Sequence, residues 1–136
     1  MLTLLEKVSL LQKAALFRAI RTESLGRVAA VAREVSFEPR HTLFRESENP
    51  DMMYFILEGE VSELQNGQEK RKLGPHQVAG IPALLTGEPH PTSAIAAQSV
   101  QALCIDQEDF FDVMSEDFDV TRGILKALVS LAAGEE

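Results

Sequence analysis

The chain has 136 residues, of which 45% are hydrophobic and 25% charged, a balance typical of one ordinary globular domain with one core. Lys and Arg number 13 against 21 Asp and Glu, so the formal net charge is −8. Nucleic-acid-binding domains usually carry a basic face, so this charge argues against DNA or RNA as a partner. It does not argue against a small anionic ligand, because one local cluster of donors can oppose the global sign.

The single cysteine, Cys104, excludes an intramolecular disulfide and fits a reducing compartment such as the cytoplasm. A small buried hydrophobe is the commoner state of such a cysteine than a reactive thiol. Charges interrupt the apolar residues of 1–19, so no signal peptide is visible, and no apolar run approaches the ~20 residues of a membrane span. We therefore expect that this chain does not insert into a membrane. We expect it to be a cytoplasmic protein or the cytoplasmic portion of a membrane protein.

Apolar residues at helical spacing predict two N-terminal helices, over residues 2–14 and 22–34. Thr22 is the predicted N-cap of the second helix, with Glu23 in the first turn to suit the helix dipole. Asp106 is the predicted cap of a third helix, and a fourth begins near Asp117. Together these two C-terminal helices cover residues 107–133.

Between the helical pairs, residues 35–105 follow a period of two and predict seven or eight short strands broken by turns. Asn66-Gly67 between two alternating segments predicts a tight hairpin, because both residues tolerate positive φ. Closely spaced short strands with glycine turns favour a β-roll or jelly-roll-like barrel. The predicted fold is thus one mainly β, α+β domain over 1–136, with helices flanking the roll.

One short apolar helix, predicted over residues 81–85, interrupts the strands between glycines and prolines. A helix N-terminus that follows a glycine and faces a sheet presents free backbone N–H groups, which suit an anion. Ligand sites also favour such irregular points in the mouth of a barrel. We therefore place the candidate ligand site in this segment.

Catalytic and metal-binding motifs are missing from the sequence, which has no phosphate loop and no nucleophile elbow. His41, His76 and His90 fall in separate predicted turns, without a neighbouring ligand at metal-binding spacing. We therefore expect no enzymatic activity, no bound metal and no cofactor. The alternative, a metal-dependent enzyme on a similar barrel, would bind stoichiometric metal.

Seven acidic residues and no Lys or Arg lie from Asp106 to Asp119. This pattern favours a solvated helix face over a binding surface for a basic partner.

Three stretches, Tyr54–Val61, Leu73-Gly74-Pro75 and Gly80–Leu85, resemble a cyclic-nucleotide-binding domain. This module occurs in catabolite activator proteins, protein kinase A regulatory subunits and cyclic-nucleotide-gated channels. The resemblance covers nearly the whole chain and implies a regulatory β-roll that binds cAMP or cGMP. It further implies that residues 117–133 act as an output element, in contact with the rest of a larger parent protein or with a second copy.

The family's phosphate-binding cassette is a Gly-Glu pair, a short helix, and later an Arg followed by a small residue and Thr or Ser. By this resemblance Gly80 matches the glycine, Ile81 stands where the glutamate belongs, and His90 stands where the arginine belongs. Carried over position by position, the candidate ligand-binding residues are Gly80, Ile81, Pro82, Ala83, Leu84, His90, Pro91, Thr92 and Ser93.

The two departures predict weak or lost cAMP and cGMP binding. Ile81 accepts no hydrogen bond, and His90 is mostly neutral at pH 7 and lacks the fork of an arginine. Losing two hydrogen bonds to charged groups costs roughly 3–6 kcal/mol, about two to four powers of ten in affinity. The alternative is a working sensor, in which backbone N–H groups of residues 83–85, with His90, Thr92 and Ser93, bind a cyclic nucleotide or another small phosphorylated anion.

Overall fold

The computed structural model describes residues 1–134, which form five helices and eight strands. The helices are α1 (Leu4–Leu11), α2 (Thr22–Val31), α3 (Ile81–Thr86), α4 (Gln107–Glu116) and α5 (Phe118–Ala132). The strands are β1 (Ala32–Phe37), β2 (Thr42–Phe44), β3 (Met52–Glu58), β4 (Val61–Gln65), β5 (Gln68–Leu73), β6 (Val78–Ala79), β7 (Ser93–Ala96) and β8 (Val100–Asp106). None of the described helices combines the length and apolar character needed to cross a bilayer.

The strands form two four-stranded antiparallel sheets, with the orders β1-β8-β3-β6 and β2-β7-β4-β5. This arrangement confirms the predicted β-roll with flanking helices. The two sheets do not close into a barrel, because each keeps two edge strands, β1 and β6 in one and β2 and β5 in the other.

Two apolar clusters make the core, and the first sheet separates them. Strand β3 contributes Phe55 to the cluster beneath the helices and Ile56 to the cluster between the sheets, and both side chains are 0% exposed. Strand β8 does the same with Leu103 and Ala102. These strands are buried on both faces, and this explains their nearly continuous apolar sequences.

The N-terminal helices differ from the prediction at their ends. Helix α1 is shorter than 2–14, and a capping box between Thr3 and Glu6 fixes its start. Helix α2 ends at Val31 and not at 34, because β1 already begins at Ala32. The prediction that Thr22 caps α2 is wrong: Thr22 is the first helical residue, Arg21 is the N-cap, and no side chain of residues 1–134 caps the helix. The Thr22 hydroxyl instead accepts a hydrogen bond from Gln12 Nε2 at 2.9 Å, which ties α1 to α2.

Other local predictions are confirmed. Asn66 and Gly67 have φ values of 53° and 78°, as the tight β4–β5 hairpin requires. The Asp106 carboxylate accepts from two backbone N–H groups in the first turn of α4, and the Asp117 carboxylate caps α5 by accepting from the Asp119 N–H. Strand β6 has only two residues, too few for a period-two pattern to predict.

Gly123 of α5 packs directly against Ile20, and a Cβ at this glycine would clash with Ile20 Cγ1 and lie 3.1 Å from Ile20 Cα. We expect Gly123→Ala to lower the free energy of unfolding by about 1 kcal/mol or more, because overpacking of about 1–3 kcal/mol outweighs the gain in helix propensity. Urea unfolding followed by circular dichroism measures the change.

Gly26 of α2 provides the matched control, because a Cβ there would meet no atom within 4 Å. Gly26→Ala should stabilise the protein by about 0.5–1 kcal/mol through helix propensity alone. Equal effects of the two substitutions would contradict the close contact between α5 and Ile20.

Candidate functional site

The segment that begins at Gly80 turns sharply out of β6 into α3. Gly80 has φ +97°, and a Cβ there would lie 3.1 Å from the Met52 carbonyl oxygen and 3.4 Å from the Phe44 ring. Both the backbone conformation and the close approach require a glycine. Helix α3 ends at Gly87, whose N–H donates to the Ala83 carbonyl at 2.9 Å.

A cavity of about 280 Å³ lies between this segment and the β4–β5 hairpin. Six of the nine predicted site residues line it: Gly80, Ile81, Pro82, His90, Pro91 and Thr92. The predicted segment therefore borders a ligand-sized space, at the small end of the range for such sites.

The other three predicted site residues do not line this cavity. Ala83 and Leu84 are 1% and 0% exposed, and Leu84 belongs to the core cluster beneath the helices. The Leu84 N–H donates to the Gly80 carbonyl at 3.2 Å, so the helix itself uses this donor. The Ser93 hydroxyl accepts a hydrogen bond from the Glu46 N–H at 2.9 Å.

His90 is a buried residue of the cavity wall, with 3% of its surface exposed. Its ring stacks on Phe44, with centroids 3.9 Å apart and planes 12° from parallel. Within the described residues, its Nε2 is buried without a hydrogen-bond partner. Burial lowers the pKa of His90, and the carboxylates of Asp51 and Glu48 oppose this shift. Burial therefore favours the neutral form of the ring.

Ile81 takes part in the core as well as in the cavity wall. Its side chain is half-buried and packs against the cluster beneath the helices. It offers the cavity no hydrogen-bond acceptor. Pro82 follows at the start of α3, where it has no N–H to donate.

Three charged residues of the cavity were not predicted: Glu63, Lys70 and Arg71. Glu63 is 7% exposed, and its Oε1 lies 3.0 Å from Arg71 Nε. One signal for this pair was present in the sequence. Glu63 lies two residues after Val61 in an alternating strand, so it points to the same buried side as Val61 and needs a cation nearby.

The cysteine and the acidic stretch are explained by burial and by ion pairs within the protein. Cys104 is 2% exposed, and burial raises the pKa of its thiol. Glu116 and Asp119 of the acidic stretch pair with Arg27 and Arg21 of the helical layer. Across residues 1–134, no group of three or more His, Cys, Asp or Glu side chains could hold a metal ion.

Comparison with known families identifies the class of domain. The family model of the cyclic nucleotide-binding domain matches residues 34–117, more than half of the chain. This protein therefore belongs to the cyclic nucleotide-binding domain family.

Its relatives include regulators and a channel. A CRP-like cAMP-activated global transcriptional regulator of Mycobacterium tuberculosis is 22% identical over 124 residues, covering 88% of this chain and 55% of the regulator. The potassium channel SKOR of Arabidopsis thaliana is 24% identical over 124 residues, covering 88% of this chain and 15% of the channel. The chain thus spans about half the regulator and a small part of the channel.

Solved structures show the same fold. The N-terminal domain of a transcriptional regulator from Streptomyces coelicolor A3(2) matches with TM-score 0.79 and 24% identity, over 92% of this chain and 93% of that one. The regulatory domain of Toxoplasma gondii PKA, solved with cAMP, matches with TM-score 0.78 and 21% identity, over 94% of this chain and 49% of that one.

The buried state of His90 predicts a pH-dependent stability. In the unfolded chain His90 has the ordinary histidine pKa of about 6.5, and in the folded chain its pKa is lower. At pH values between these two pKa values, the unfolded chain binds more protons than the folded chain. The free energy of unfolding should therefore fall as the pH decreases through about 6.5, until the folded-state ring is also protonated. Urea unfolding at a series of pH values measures this loss.

His90→Phe should keep the stack on Phe44 and show a smaller loss of stability over the same pH range. His41 is exposed, so His41→Gln should keep the wild-type dependence. Parallel stability curves for the wild type and His90→Phe would contradict the buried, neutral state of His90.

Proposed function

We propose that this chain is a regulatory domain with the cyclic-nucleotide-binding fold whose affinity for cAMP and cGMP is weak or lost. The observation that carries the proposal is the buried, neutral His90 at the position of the cassette arginine. Ile81, at the position of the cassette glutamate, removes the acceptor for the ribose hydroxyl. A cyclic phosphate would meet no permanent cation at position 90 and no carboxylate at position 81.

The side chains at positions 81 and 90 should weaken the binding of cAMP and cGMP by more than backbone N–H groups of the cassette could restore. Each hydrogen bond to a charged group contributes about 1.5–3 kcal/mol, so two lost bonds weaken binding by about two to four powers of ten. Protonation of His90 by a bound phosphate would recover a part of this, but burial opposes that protonation.

The alternative is a sensor that binds its ligand through the cassette backbone. Fewer hydrogen-bonding groups are free for this than the sequence predicted. The Leu84 N–H and the Ser93 hydroxyl are both engaged within the protein. Thr92 and His90 remain at the cavity. These two neutral side chains are weak substitutes for an arginine fork.

The proposed biological role is that of an accessory module in a longer cytoplasmic protein or in the cytoplasmic part of a membrane protein. The share of each relative that the chain covers supports a module, and a lone buried cysteine fits a reducing compartment. Helix α5 would contact the parent protein or a second copy, because Phe118, Leu125 and Val129 are 63%, 54% and 70% exposed. The proposal includes no catalytic activity and no nucleic-acid partner.

Calorimetric titration with cAMP and cGMP tests the proposal. The wild type should bind with a dissociation constant near millimolar or weaker, and Ile81→Glu combined with His90→Arg should tighten binding by about two to four powers of ten. Circular dichroism checks that the double variant is folded. Saturable micromolar binding by the wild type would refute the proposal.

The matched control combines Ile81→Glu with His41→Arg, because His41 is exposed and does not line the cavity. It adds the same two charges but places the arginine elsewhere. A gain in this control equal to that of the double variant would mean that the arginine at position 90 contributes nothing to binding.

A further inference from the structure

The cavity beside α3 is lined by charged side chains as well as by the cassette positions. Glu63 lies in β4, and Lys70 and Arg71 lie in β5. Phe44, Ile81 and Pro82 contribute apolar surface to the same cavity. The lining therefore has a charged part on the hairpin and an apolar part, the apolar wall, formed by these three side chains.

A β-bulge places two consecutive cations at this cavity. Glu63 pairs with Arg71 and Leu64 pairs with Glu69, so the register passes over Lys70. Successive residues of a regular strand point to opposite faces, but a bulge redirects a side chain and is common beside functional sites. Lys70 and Arg71 accordingly line the same cavity.

The buried carboxylate of Glu63 orients Arg71. Its side chain is 9% exposed, and its two oxygens face Arg71 Nε at 3.0 Å and Arg71 Nη2 at 3.5 Å. Leaving a buried carboxylate without its cation costs much free energy. The Nε and Nη2 edge of the Arg71 guanidinium therefore stays against Glu63. The Arg71 side chain is 56% exposed, and its outer edge keeps three N–H donors for another group.

The charges that line the cavity leave one net positive charge in a chain of net charge −8. Glu63 offsets one of the two cations, and Lys70 forms no ion pair within residues 1–134. By contrast, Lys72, two residues after Lys70, has its Nζ 3.6 Å from Glu60 Oε1. A locally cationic wall in an acidic protein favours an anionic ligand.

We propose that Arg71, oriented by Glu63 and assisted by Lys70, binds the phosphate group of a small phosphorylated molecule whose organic part lies against the apolar wall. Three N–H donors of Arg71 and three of Lys70 match a group with three or more acceptor oxygens better than a carboxylate with two. The phosphate would be bound from the β4–β5 hairpin instead of the positions of Ile81 and His90. This inference goes beyond the proposed function, since that proposal concerns only cAMP and cGMP.

Titration of the isotope-labelled full chain with phenyl phosphate, followed by NMR at constant ionic strength, tests the inference. The probe combines a phosphate with an apolar ring, and benzoate replaces the phosphate with a carboxylate. Saturable shifts of the Arg71 Nε–H signal and of residues 62–64, 69–72 and 78–82 are expected, with tighter binding of phenyl phosphate than of benzoate. Equal binding of both probes, or no saturable shifts, would overturn the inference.

Variants identify the residues responsible. Arg71→Gln alone would leave Glu63 buried without its cation, so the double variant Glu63→Gln, Arg71→Gln replaces the ion pair with two amides. We expect it to bind phenyl phosphate at least about tenfold more weakly, the loss of one hydrogen bond to a charged group. Lys70→Gln, which leaves the Glu63–Arg71 pair intact, should weaken binding to a lesser extent.

Lys72→Gln is the matched control, because it removes one cation from the same strand but outside the cavity. Its affinity for phenyl phosphate should equal that of the wild type. Equal losses in Lys70→Gln, the double variant and Lys72→Gln would overturn the inference in favour of general electrostatic attraction. Titration with cAMP remains a separate measurement, so failure of phenyl phosphate binding overturns this inference without affecting the proposed function.

Discussion

A carboxylate buried beside the cavity next to α3 constrains the β4–β5 hairpin. Glu63 is nearly inaccessible to solvent, and such a group is tolerated only with a cation and hydrogen bonds at hand. Arg71 meets this requirement across the strand pair, and the bulge beside it changes which residues of β5 reach the cavity. The conformation of one hairpin and the charge of one cavity thus depend on the same ion pair.

Apolar packing holds the fold together, and the side chains at positions 81 and 90 take part in it. Its stability comes from two apolar clusters on either side of the first sheet, and β3 and β8 contribute to both. Ile81 packs against the cluster beneath the helices and adds apolar contact to it. His90 stacks on Phe44, although its Nε2 has no hydrogen-bond partner within residues 1–134. Both side chains therefore contribute to the packing of the domain.

The sequence was most informative where local rules decide the structure. Periodicity predicted the order of helices and strands, Asn66-Gly67 predicted the hairpin, and Asp106 predicted the start of α4. Thr22 was misjudged because its hydroxyl accepts a hydrogen bond from Gln12, the residue that follows α1, and local rules omit such a tertiary contact. Lys70 and Arg71 were missed for a similar reason. Their shared direction depends on a bulge, which comes from the pairing of β4 with β5 and leaves no local pattern.

The contact between Gly123 and Ile20 determines how far the domain can be trimmed. The family model covers residues 34–117, yet Ile20 lies before this range and Gly123 after it. Buried residues outside the range, such as Phe17 and Val120, belong to the same cluster as Phe55 of the sheet. A fragment cut at the family limits would expose that apolar face to water and favour aggregation. A stable fragment of this domain therefore needs residues well outside the range 34–117 that the family model matches.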